Sequence, residues 1–413
     1  MQPLLLLFIL ALCAETGVRL WLAGRQIRAV RDRRSRVPAL FADAISVADQ
    51  ERASDYTLTR ARFGRGVIAC NALLKLALTA GGGVALADAV ARRLGWAQPW
   101  QGLALVAIVG CVLWAIDIPF AAWRTFRIEA RFGFNRTTPK LFVLDLSKQL
   151  LLGVAIGAPS LLALLVLMQR AGPVWWLYAF LLWLLVMLAL TWAAPRFIAP
   201  LFNRFTPLES GELKQRVESL IARCGFAARG GVFVMDGSRR SAHGNAYFTG
   251  LGRNRRIVFF DTLLARIDAP EVEAVLAHEL GHFRLHHVRQ RLIVSAISSL
   301  LGLALLGWLS AQPGFYASFG IEHPSPAAAL LLFALIVPVF TFFITPLNAW
   351  WSRRHEREAD DFAVAYADPR HLAAALIKLY RDNSTPLMPD RVHSAFYDSH
   401  PPALERIERL RAL

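Results

Sequence analysis

The chain has 413 residues, 55% hydrophobic and only 18% charged, with a mean hydropathy of +0.41; soluble proteins carry about a quarter charged residues, so the composition points to a membrane protein. A formal net charge of +16 would suit nucleic acid, but many arginines cluster at the ends of apolar runs, where anionic lipid headgroups explain them better and no nucleic-acid partner is expected. Cys13, Cys70, Cys111 and Cys224 lie far apart with no CxxC pair, which supports neither a disulfide framework nor a cysteine-based zinc site.

The first stretch, MQPLLLLFILALCAETGVRLWLAG (1–24), has no basic flank and no convincing cleavage site. It reads as a retained membrane helix rather than a signal peptide, interrupted by Glu15 and Arg19. Apolar runs follow at 67–90, 102–123, 150–168, 175–194, 292–309 and 327–347, which brings the expected spans to seven. Each comes close to crossing roughly 30 Å of hydrocarbon at 1.5 Å per residue. Lys75 and Asp88 in the second run, and Asp117 in the third, should face protein or water rather than lipid. Gly81, Gly82 and Gly83 predict a kink or break there. The loops 25–65 and 124–148 are crowded with arginine and lysine, whereas 310–326 contains neither. The positive-inside rule then puts the N-terminus outside, and the basic loops, the segment after the fifth span and the C-terminal tail in the cytosol.

From 195 to 291 the chain becomes ordinary mixed α/β sequence. SGELKQRVESLIARCG (210–225) predicts a helix capped by Ser210 and stopped by Gly225. GVFVMDG (231–237) and RIVFFDTLL (256–264) read as strands, and the stretch between them, 238–254, is rich in turn formers. DAPEVEAVLAHELGHFRLHHVRQ (268–290) predicts one helix capped by Asp268, with Pro270 and Glu271 in its first turn. The expected organisation is therefore 1–194 with five spans, 195–291 as a cytosolic catalytic region, 292–347 with two spans, and 348–413 as a cytosolic tail.

Four-residue spacing puts His278 and His282 on one face of that helix, beside Glu279. This is the HExxH arrangement, in which two imidazoles bind zinc and the glutamate acts as base rather than ligand. Zinc with a third protein ligand would keep a position open for a water that Glu279 deprotonates. The motif's bland reading is a helix with surface histidines. Against it stand the cap, the apolar side made by Val272, Leu276 and Phe283, and Gly281, which permits close approach of another backbone. His286 lies about 12 Å from His278 along a straight helix and cannot share the ion. Leu285 and Val288 also exclude the longer HExxHxxGxxH pattern. His286 and His287 are expected at the cytosolic membrane boundary. WSRRHEREADDFAVAYA (351–367) offers a third ligand, Glu356, with Asp360 one turn on to accept a proton from a ligating ring. Glu358, about 200° round the helix from Glu356, is a poor substitute. On pattern alone these acids could equally be an exposed, salt-bridged face.

HELGH, a membrane hairpin and then SRRxExxAD together resemble the type I CAAX prenyl endopeptidases, integral-membrane zinc proteases. RFGFNRTT (131–138), PLFNRFTPL (200–208), the segment 236–264 and SHPPALERI (399–407) extend the resemblance over most of the chain. It implies a mainly α-helical polytopic membrane protein whose seven helices enclose a chamber, with Asp88 and Asp117 as candidates for its lining, and a zincin-like α/β catalytic region. It also implies one zinc per chain on His278, His282 and Glu356, with Glu279 catalytic and Asp360 behind the ligands. Asn245, Ala246 and Tyr247 fall in the family's NAY element, where a peptide would pair with an edge strand. His400 and Arg406 fall on a histidine and an arginine suited to stabilising the oxyanion or holding the peptide. The implied function is endopeptidase cleavage of membrane-associated, CAAX-like or misfolded proteins, with or without a lipid. The alternatives are an inert quality-control scaffold or a transporter with a structural metal site. The arginine- and alanine-rich style suggests a bacterial inner membrane.

Overall fold

A computed structural model describes residues 3–226, 231–249 and 256–412. Among these, six helices are long and apolar enough to span a membrane: Pro3–Asp32, Trp100–Glu129, Pro139–Arg170, Gly172–Phe202, His287–Ser310 and Pro326–Tyr366. Val47–Leu78 and Gly83–Arg93, bent by 55°, make a seventh if taken as one broken span. The bend falls on the predicted glycines for steric reasons. Gly82 sits at φ +76°, and a Cβ on Gly81 would come within 2.7 Å of the Ala77 carbonyl oxygen.

Charges at membrane depth are mostly neutralised in place. Glu15 is 3% exposed and pairs with Lys75 at 3.1 Å and Arg19 at 2.9 Å. Asp88 is buried against Arg92 at 2.8 Å, so it does not line an open space, whereas Asp117 is exposed. The basic loops gather at the end of the molecule that holds the catalytic region. Arg25 binds Asp390 at 3.1 Å, Arg33 donates to the carbonyls of Met388 and Pro389, and the Arg136 N–H donates to the Arg240 carbonyl at 3.0 Å.

The segment 195–291 folds around a four-stranded sheet. Strands β1 (Phe205–Pro207), β2 (Val232–Met235), β3 (Ala246–Thr249) and β4 (Arg256–Phe260) lie in the order β1-β2-β4-β3. β2 and β4 run parallel, in the middle, and the outer strands are antiparallel to them. The predicted run 256–264 is strand only to Phe260; Asp261–Leu264 turns into a short helix. β1 and β3 are additional strands, β3 arising within the stretch 238–254 that is rich in turn formers, and residues 250–254 of that stretch lie outside the described residues. The helix Glu212–Arg223 is preceded by Gly211, not capped by Ser210, and Gly225 ends it at φ +68° as expected.

Alternating Ile257 and Phe259 of β4 meet Val217 and Leu220 of that helix and Val272, Leu276 and Leu280 of the motif helix in one core. Phe41 and Ile45 from the first basic loop and Ile407 near the C-terminus join it, which ties four distant parts of the chain together. The motif helix (Ala269–Arg284) starts at a full capping box between Asp268 and Glu271. It ends earlier than predicted. His286 adopts the left-handed conformation at φ 60°, and His287 opens the next helix, which becomes the sixth span. The ligand helix (Thr345–Tyr366) continues the seventh span into the catalytic region without a loop.

Candidate metal centre

The centre is built where the motif helix and the ligand helix cross. Gly281 makes the crossing close: a Cβ there would meet Ala359 Cα, the Ala359 carbonyl oxygen and Phe362 Cβ, each at 3.1 Å. The crossing brings His278 and His282 together with Glu356, which lies 73 residues of intervening sequence beyond His282.

Their donor atoms form a small triangle. His278 Nε2 lies 3.2 Å from His282 Nε2, Glu356 Oε1 lies 3.3 Å from His282 Nε2, and Glu356 Oε2 lies 3.4 Å from His278 Nε2. Ligands bound tetrahedrally at about 2.0–2.1 Å from a zinc ion stand roughly 3.3–3.4 Å apart. These spacings suit one such ion shared by the two imidazole nitrogens and the Glu356 carboxylate, each of whose oxygens faces one of the rings, and among the described residues Glu356 Oε2 is buried with no hydrogen-bond partner. Two neutral imidazoles and a carboxylate are also the donor set of a catalytic zinc site with one position left open.

Behind His278 stands a buried carboxylate. Asp360 Oδ1 is 2.9 Å from His278 Nδ1, so that ring donates from Nδ1 and keeps Nε2 for the metal. Arg406 clamps Asp360 with two bonds, Nε to Oδ2 at 2.8 Å and Nη2 to Oδ1 at 2.6 Å, and its Nη1 lies 3.6 Å from Glu356 Oε2. Burial alone would lower the His278 pKa, but hydrogen bonds to Asp360 and Glu356 outweigh it and raise it to about 9, so a metal must displace the proton that Nε2 otherwise shares with Glu356. Glu279, the next residue, is half-buried, and its carboxyl is pushed up by burial.

Behind His282 the arrangement differs. Its Nδ1 faces Nδ1 of His287 at 3.0 Å, and His287 Nε2 lies 3.0 Å from Glu358 Oε2. His287 opens the sixth span as expected of a boundary residue, yet its ring turns inward and is 1% exposed. Sequence reasoning missed this partnership because it assumed an unbroken helix. The available signal was the pair His286-His287 just beyond HExxH.

The remaining predicted residues surround the triangle. His400 Nε2 lies 3.5 Å from Glu356 Oε2, on a side chain 61% exposed, and the Ser399 hydroxyl lies 2.9 Å from its Nδ1. Ala246 and Tyr247 lie on β3, an outer strand of the sheet that packs beside the motif helix, and Asn245 immediately precedes it. The segment leading into β3 is anchored from below. Ala242 donates to the Phe134 carbonyl at 3.0 Å, and the His243 ring stacks on Phe134 at 4.1 Å. Arg240 makes two bonds to Asp145, at 2.7 and 2.9 Å. The RFGFNRTT loop thus holds the approach to the edge strand.

Comparison with known proteins agrees with this geometry. Residues 26–204 match the family described as CAAX prenyl protease N-terminal, five membrane helices, and residues 207–413 match peptidase family M48. The chain is 36% identical to the CAAX prenyl protease 1 homolog of Oryza sativa, over 74% of this chain and 72% of that protein. It is 35% identical to CAAX prenyl protease 1 of Saccharomyces cerevisiae, over 75% of this chain and 72% of that one. The crystal structure of S. mikatae Ste24p superposes with a TM-score of 0.91 at 29% identity, covering 99% of both chains. These relatives are eukaryotic, so they lend no support to the bacterial source that the composition suggested. The chain belongs to the M48 peptidases of the CAAX prenyl protease type, and is a zinc metalloendopeptidase of the membrane.

Proposed function

We propose that this chain hydrolyses peptide bonds of membrane-associated proteins, CAAX-like or misfolded, at a zinc ion held by His278, His282 and Glu356. The observation that carries this reading is the convergence of the two imidazole nitrogens, 3.2 Å apart, on the Glu356 carboxylate, whose oxygens lie 3.3 and 3.4 Å from them. Zinc, when bound, acidifies a water and polarises the scissile carbonyl. Glu279, next to His278 on the motif helix, takes the proton from that water and returns it to the leaving amine. His400 supports the oxyanion. If the Ser399 hydroxyl donates to its Nδ1, the ring proton resides on Nε2, the nitrogen nearer Glu356. Arg406 spends two donors on Asp360 and acts through it, holding His278 in register. A substrate strand adds to the outer edge of β3 along Asn245, Ala246 and Tyr247, taking over the Ala246 N–H that Asn245 Oδ1 otherwise accepts, so that backbone hydrogen bonds align the scissile bond with the site.

The relatives' names concern prenylated CAAX proteins, and the proximity of the spans to the site suits a lipid-bearing substrate. The clustering of basic loops at the catalytic end supports an orientation with the N-terminus outside and the centre in the cytosol. The composition suggests a bacterial plasma membrane as the setting. The test is purified protein in detergent or lipid discs, supplied with a prenylated CAAX peptide and with its unprenylated counterpart. Cleavage that depends on zinc and Glu279 supports the reading, and preference for the prenylated peptide supports the CAAX assignment. No cleavage of either peptide by zinc-loaded protein contradicts it.

A further inference from the structure

His282 has two ring nitrogens, and only the one without a proton can ligate zinc. Its Nε2 faces Glu356, while its Nδ1 faces Nδ1 of His287 at 3.0 Å. Two nitrogens at that distance make a hydrogen bond only if one carries the proton and the other offers a lone pair. Glu358 decides which. As an acceptor-only carboxylate 3.0 Å from His287 Nε2, it requires the His287 proton on Nε2, which leaves Nδ1 bare. His282 then donates from Nδ1 and keeps Nε2 for the metal. Arg354, 2.9 Å from the other oxygen of Glu358, fixes the far end.

We propose that His287 and Glu358 form a tautomer-setting relay that holds His282 as a zinc ligand; they are positioning residues and touch neither substrate nor metal. This rests on the reading of His278, His282 and Glu356 as the zinc site. The relay exists because the helix breaks at His286. On a continuous helix, His287 would lie about 140° round from His282 and out of reach.

A rival use of the same residues is a second cation site, since donor atoms of His287, His355 and Glu358 lie within 4.8 Å of one another. Ring geometry argues against it. His287 and His355 stack in parallel, with centroids 3.9 Å apart and an interplanar angle of 4°. A ligated zinc lies in the plane of each ring about 2.0–2.1 Å from its nitrogen, which two parallel rings at that separation cannot both satisfy. The His355 ring instead buttresses His287 and turns its own Nε2 to Gln290 Oε1 at 3.1 Å.

The test is zinc affinity of the full-length protein in detergent, by competition with a chromogenic chelator. Thermal melts of the metal-free variants confirm folding. His287→Leu should weaken zinc binding about 10–100-fold, the range for loss of a partner behind a ligating histidine. His287→Asn places Oδ1 where Nδ1 was and should recover most of that loss, because it restores the acceptor. Glu358→Gln should weaken binding about tenfold in the native background but have no effect in the His287→Asn background, where no tautomer remains to set. A purely structural role would show neither the rescue nor the background dependence. Asparagine no better than leucine, or equal Glu358→Gln losses in both backgrounds, would overturn the relay while leaving the zinc site intact. Two zinc ions per chain, one of them lost in His355→Ala, would overturn it in favour of a second metal site. A native chain that binds no zinc would overturn the underlying reading instead.

Discussion

The two histidines of the motif are held by unlike supports. His278 is buried, and its partner Asp360 sits one turn beyond Glu356 on the same helix, clamped by Arg406 from the C-terminal segment. His282 is more open, and its partner is another histidine, reached only because the helix breaks at the left-handed His286. The first support is a buried charge pair, in which removing one member leaves the other stranded without solvent. The second ends at Glu358, whose side chain is 37% exposed, so water can replace what is lost. One half of the centre is therefore tied into the fold's stability, and the other chiefly into the orientation of a ligand.

Substitutions can sharpen or break that contrast. Glu279→Gln should spare both supports and all three ligands, keeping zinc content while lowering turnover by about 10²–10⁴-fold, as peptide assays alongside metal analysis would reveal. Zinc loss in that variant would mean that Glu279 is part of the binding site. Glu356→Ala removes a ligand and should weaken zinc binding by more than the roughly 100-fold upper range for supporting residues, measured by chelator competition. Asp360→Asn breaks the two-bond pair with Arg406, leaving that buried cation only the more distant Glu356 at 3.6 Å, and should cost about 3–5 kcal/mol of stability. Glu358→Gln should cost only about 0–1 kcal/mol. Equal shifts for these two in thermal or denaturant unfolding would erase the distinction drawn between the supports. Smallest of the core effects, Gly281→Ala should destabilise by about 1–3 kcal/mol, by pressing a methyl into Ala359 and Phe362. Unchanged stability there would show that the helix crossing can relax.

The same contrast explains how much of the molecule could be read from sequence. Four-residue spacing puts His278 with His282, and Glu356 with Asp360, on one face of each of two uninterrupted helical segments, though for the two acids only the family resemblance chose a ligand face over an exposed one. The bend at Gly81–Gly83 was legible because glycine is the residue that tolerates it. His287 was not, since its role depends on a left-handed residue at His286, a non-glycine that gives no local warning of a helix end. Glu358 was set aside as a ligand, yet its position round the helix is what lets it reach His287 from the other side. The short strands β1 and β3 carry little alternation over three or four residues, and were hidden among turn formers until pairing with β2 and β4 defined them. Only the family resemblance pointed to β3 as an edge strand. The spans were counted correctly once the bent pair is taken as one. Their ends were not, because hydropathy marks the apolar stretch rather than the end of the helix that contains it.

Zinc-edge X-ray absorption on the purified chain, with metal quantified per protein, tests the centre most directly. One zinc per chain, bound by two imidazole nitrogens and a carboxylate oxygen and lost on Glu356→Ala, is the expected result. Peptidase activity in protein free of zinc, or an unaltered zinc spectrum after Glu356→Ala, would contradict it.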